Sequence, residues 1–206
     1  MILCLNLRVT KTVDFDESES VLASTRAFSL IGISVRLNSS SRIVGPACPA
    51  VDFSGNSLTQ DQKTLFGLTE GTIASSRRYA LACFVDRLPQ ESLGFSNPGV
   101  RSCIVSRNCQ PHTLAHELGH LLGLVHVSDP RNLMYEFGPT EELSPVLNLS
   151  QQTAAQSSPL LMTSAAYEEH RSKVELAAYY NWLDRGGGHG FHEDDWLSAE
   201  RKVGAV

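Results

Sequence analysis

The sequence predicts an α+β fold that ends in a small helical extension, and three observations carry that prediction. Residues 2–9 and 31–37 read as strands on either side of a helical stretch, and residues 79–105 hold three further short β-rich runs. Residues 113–135, TLAHELGHLLGLVHVSDPRNLMY, begin with histidines four apart, a helical spacing. Residues 167–183 and 195–202 read as two helices around a glycine-rich turn, with Trp182 and Trp196 as the core of a small scaffold.

Taken in order, residues 2–9 alternate and are rich in β formers. Asp14, Asp16, Glu17 and Glu19 put negative charge in the first turns of a helix running to about Phe28, which suits its dipole. Val21, Leu22, Thr25 and Phe28 form its apolar stripe. Ile31, Ile33, Val35 and Leu37 alternate with small or polar residues, the pattern of a half-buried strand. Residues 39–56 hold Ser, Pro and Gly without period and predict a loop, followed by a short helix capped by Thr59 with Gln62 in capping-box position. Residues 79–85 predict a strand. Residues 92–95 and 102–105 predict two short ones separated by Asn97-Pro98-Gly99. Ser150 reads as the cap of a helix over residues 151–156, which Ser157-Ser158-Pro159 ends. That gives a division into 1–160 and 161–206.

Chemistry concentrates in H-E-x-x-H-x-x-G-x-x-H. On a helix, residues four apart lie about 6 Å apart along the axis and nearly one above the other, so His116 and His120 can address one ion. Glu117 sits beside them, where such sites place a general base. His126, on a continuous helix, would lie roughly 15 Å from His116, far beyond ligand bonds of about 2 Å. The helix must therefore stop, and Gly123 is where it can, because glycine takes a left-handed conformation without a Cβ penalty.

This motif, followed by Asn132-Leu133-Met134-Tyr135, resembles the metzincin zinc peptidases and, from His126 to Tyr135, most closely their matrixin branch. Val127 and Glu136 depart from the branch's usual pattern. The resemblance implies a three-layer-like α+β domain, a metzincin-type twisted mixed sheet with two main helices. It implies one catalytic Zn2+ held by His116, His120 and His126, with Gly123 and Met134 supporting the site. It further implies an endopeptidase that hydrolyses peptide bonds through a zinc-activated water, with Glu117 as general base. In that clan the edge strand before the active helix holds an extended substrate, which points to Leu93, Gly94, Phe95 and Ser96. The alternatives are a non-catalytic, zinc-stabilised binding module and a site completed by Glu141 or Glu142. Residues 178–201 resemble a short bacterial domain of unknown function, which implies no activity.

A net charge of −5 over 206 residues with 42% hydrophobic content suits a globular chain acting on protein or peptide. No run of Lys and Arg predicts nucleic-acid binding, and no apolar run approaches the roughly 20 residues of a membrane span. Residues 1–5 are apolar but lack a basic leader, so no signal peptide is visible, although the resembled family is mostly secreted. No partner for the tail is predicted. Cys103 and Cys109 could bridge in an oxidising compartment.

Overall fold

The computed structural model describes residues 1–12, 16–54, 57–68, 78–138 and 146–203. Its centre is a five-stranded mixed sheet of order β2-β1-β3-β5-β4, built from β1 (Ile2–Thr10), β2 (Ser34–Ile43), β3 (Ala80–Val85), β4 (Gly94–Asn97) and β5 (Ser102–Ser106). Four strands run parallel, and β4 alone is antiparallel, pairing with β5. Helix α1 (Ser18–Ser29) crosses from β1 to β2; Asp14, expected near its start, lies outside the described residues.

Successive side chains of a strand point to opposite faces, and β1 uses both. Leu3, Leu5, Leu7 and Val9 pack with Phe28 of α1 and with Leu114 and Leu118 of α3 (Thr113–Leu121). Ile2 and Cys4 face the other way, toward Leu65 and Phe66 of α2 (Gln60–Phe66) and toward Met162. The result is three layers: α1 and α3, the sheet, and a far layer that holds α2.

The far layer is completed from the C-terminus. After α4 (Leu149–Gln156), Met162 pairs with Ile2 as an antiparallel bridge, and Ala166 and Tyr167 of α5 (Ser164–Asp184) pack on the same cluster. Helix α6 (His192–Val203) brings buried Glu200 to within 2.6 Å of the Asn6 side chain. Trp182 and Trp196 are only half-buried, and the buried residues of this hairpin, among those described, are Val174, Asp195, Ala199 and Glu200. The expectation of a scaffold cored by two tryptophans is thus corrected, because the hairpin draws its burial partly from the sheet.

Two local expectations are also corrected. Strand β2 begins at Ser34, after Gly32 turns the chain at φ 72°, and continues through Ser39, Ser40 and Ser41, which pair with Asn6, Leu7 and Arg8. Helix α4 is capped by Asn148 in a capping box with Gln151, and Ser150 lies inside the helix. The Thr59 and Gln62 capping box forms as the sequence predicts. All five cysteines are free: Cys103 is fully buried in the sheet, while Cys109 lies 3.9 Å from the Ser20 hydroxyl. No helix among the described residues is long and apolar enough to cross a membrane.

Candidate metal centre

Helix α3 buries Leu114, Ala115, Leu118 and Leu121 in the core and turns His116, Glu117 and His120 to a cleft. Its end is set by Gly123 at φ 92°. The Gly123 N–H donates to the His120 carbonyl and the Leu124 N–H to that of Gly119, both at 3.0 Å, a Schellman closure. Nothing lies within 4 Å of a β-carbon built on Gly123, so conformation and not space requires glycine there. The reversed chain carries His126 back to the other two histidines.

The three Nε2 atoms lie 3.0–3.1 Å from one another. A backbone carbonyl accepts only, so the Nδ1 contacts of His116 with Leu133 O at 2.8 Å and of His120 with Leu124 O at 2.9 Å fix Nδ1–H as donor on both rings. Burial pushes His116 down to about 4 and lowers His120 as well, against those two hydrogen bonds, so both rings are neutral with bare Nε2 lone pairs. Converging lone pairs at this separation repel unless a cation lies among them. Three imidazole nitrogens around one point suit zinc, whose bonds to nitrogen are about 2.0–2.1 Å.

Behind the histidines, Met134 is fully buried, and its sulfur lies against Gly119 on α3. Asn132 Oδ1 accepts from the Met134 N–H at 2.9 Å, and Asn132 Nδ2 donates to Gln151 at 2.8 Å. Gln151 belongs to the capping box of α4, so the methionine turn is anchored to that helix. Val127 N–H donates to Met134 O at 3.0 Å, tying the segment after His126 to the same turn.

The cleft has a volume of about 520 Å³. One wall is β4 and the residues before it, and Leu93, Gly94, Phe95 and Ser96 all line it. Gly94 and Ser96 face Glu117, whereas Phe95 packs edge-on against Phe53, with ring centroids 5.5 Å apart. The opposite wall includes Glu136, Phe137 and Gly138. Glu117 is 6% exposed; burial alone pushes its carboxyl up to about 8, opposed by the Ser96 hydroxyl, and a divalent cation on the neighbouring histidines would draw it back toward the ionised form. Glu141 and Glu142 lie outside the described residues.

His112 was not singled out by the sequence reading. It lines the cleft one turn before His116, and its buried Nδ1 has no hydrogen-bond partner among the described residues. The signal was available in a third histidine at the four-residue spacing of His116 and His120.

Residues 7–152 match the matrixin family. The chain belongs to the matrixin family. Residues 169–205 match a family described only as a protein of unknown function. No curated protein matches the chain. Among solved structures, metalloproteinase-II from Bacteroides fragilis is 17% identical with a TM-score of 0.54, over 79% of this chain and 54% of that one. Archaemetzincin from Methanopyrus kandleri is 19% identical with a TM-score of 0.53, over 75% of this chain and 93% of that one. These likenesses show a shared fold. The matrixin spans about half the length of the Bacteroides chain.

Proposed function

We propose that the chain is a zinc endopeptidase in which His116, His120 and His126 hold one zinc ion and Glu117 is the general base. The observation that carries this reading is the convergence of three Nε2 atoms within 3.0–3.1 Å on the floor of a cleft that Glu117 also lines. Bound there, zinc supplies Lewis acidity, which lowers the pKa of a water and polarises a peptide carbonyl. The carboxylate of Glu117 takes a proton from the attacking water and passes it to the leaving amine. Leu133 and Leu124 carbonyls orient two of the imidazoles. Gly123 supports the site by returning the chain to His126, and Met134 by filling the space behind α3.

An extended peptide joins the open edge of β4, at residues 93–96, by backbone pairing. Such binding needs no chain terminus, which is why we read an endopeptidase. The division into a peptidase unit at 1–160 and an appended helical unit at 161–206 belongs to the same proposal, the second unit seated on the far face of the sheet.

Cleavage of a peptide library tests the reading, with the zinc-loaded chain, with chelator, and with Glu117→Ala. Internal cleavage abolished by chelator and by the substitution is expected. Cleavage that survives Glu117→Ala defeats the assigned mechanism. Zinc binding without any cleavage supports the non-catalytic binding module instead.

A further inference from the structure

A carboxylate with 6% exposure needs a donor to offset its lost hydration. The polar group placed to serve Glu117 is the Ser96 hydroxyl, which lines the same cleft and comes from the edge strand β4 and not from the helix that carries the glutamate. Gly94 lies two residues earlier on the same face of β4. A β-carbon built there would stand 2.7 Å from Cδ and 2.8 Å from Cγ of Glu117 and would overlap Oε1. Gly94 is absent from the glycines with positive φ, so its backbone does not demand glycine. Space does. The two positions of β4 that face α3 are therefore fitted to one carboxylate, the first by lacking a side chain and the second by donating to it.

We propose that Ser96 is a positioning residue for Glu117 and that Gly94 supplies the clearance it needs. The inference rests on the peptidase reading above and adds to it the means by which the base is held. Ser96 donates its hydroxyl proton to the carboxylate and fixes its rotamer, so the carboxylate is oriented before a water is deprotonated. The anchor sits on the strand whose free edge receives the peptide. Backbone groups of β4 hold the substrate while its inward side chain holds the base, so a shift of the strand moves both together.

The test uses the zinc-loaded full chain with Ser96→Ala, Ser96→Thr and Gly94→Ala, measuring kcat, KM, zinc content, thermal midpoint and the crystallographic position of Glu117. Ser96→Ala is expected to lower kcat by about tenfold, the lower end of the usual effect for groups that orient a metal site. KM and zinc content stay at wild-type values, the thermal midpoint falls because a buried acceptor loses its donor, and Ser96→Thr, which keeps the hydroxyl, restores most of kcat and of the midpoint. Gly94→Ala is expected to push the carboxylate off β4. Wild-type kcat in Ser96→Ala, or a Thr variant as slow as the Ala variant, overturns the proposal. So does a Glu117 carboxylate unmoved in the crystal of Ser96→Ala, a readout independent of turnover. A wild-type chain without chelator-sensitive cleavage defeats the peptidase reading, whatever Glu117 is seen to do in the crystals.

Discussion

The sulfur of Met134 rests against Gly119, in the space that a β-carbon on that glycine would take. Glycine within a helix costs about 1 kcal/mol relative to alanine, so Gly119→Ala would stabilise an isolated α3. Here it should destabilise the protein by about 1–3 kcal/mol through overpacking. It should also weaken zinc binding, because displacing Met134 moves Leu133, whose carbonyl orients His116. Thermal unfolding and zinc competition against a chelator measure the two effects, and an unchanged zinc affinity would separate the methionine from the site.

Removal of zinc should cost stability as well as activity. Three Nε2 atoms lie 3.0–3.1 Å from one another, those of His116 and His120 with bare lone pairs, and the folded chain assembles them where the unfolded chain does not. At a free zinc concentration a hundred times Kd, the ion should add about 2.7 kcal/mol. The midpoint should rise with zinc in the wild type and respond much less in His126→Ala. An equal response would place the ion elsewhere.

Gly123→Ala should act through conformation alone. With nothing within 4 Å of the added carbon, its cost is that of holding alanine at φ 92°, about 1–3 kcal/mol. Relaxation of that turn carries His126 away, so zinc affinity should fall with stability. Gly123→Asn, better tolerated in the left-handed region, should recover part of both. If the Ala and Asn variants match the wild type in both measurements, the turn does not set the position of His126.

Stability should fall as pH rises from about 4.5 toward neutrality, in part through Glu200. Burial raises this carboxyl above 4.5, and Trp196, Asn6 and Arg8, which face it, hold the rise in check. Between the unfolded value and the raised folded value the native state keeps a proton that the unfolded state has released. The contribution is therefore complete below the ordinary carboxylate value and is lost as pH rises through the folded one. Glu200→Gln should flatten this decline and give a higher midpoint at neutral pH. Parallel midpoint-versus-pH curves for the two proteins would contradict the assignment.

The site was more legible than its surroundings because it is written in short spacings. Four residues fix a helical face and a glycine fixes a turn, so His116, His120, Gly123 and His126 could be read without knowing the rest of the chain. The far layer could not be read in this way. Asn6 and Glu200 are 194 residues apart, and nothing local in either segment names the other. Ser39, Ser40 and Ser41 have weak β preference, yet pairing with β1 overrides it and extends β2. At α4 the sequence offers two cap formers two residues apart. Asn148 prevails because Gln151 closes the box with it while also bonding Asn132.

Strand β4 is four residues long and lies between tight turns at Pro89–Glu91 and Pro98–Val100. An exposed sheet edge is a template for unwanted partners as well as wanted ones, and long, flat edges seed aggregation between copies. Here the free edge is too short to zip against another sheet, and proline lies close beyond each end. A single peptide strand laid into the cleft can still use it. Under the proposed reading the same brevity limits how much of a substrate is gripped, and it protects the folded protein from its own kind.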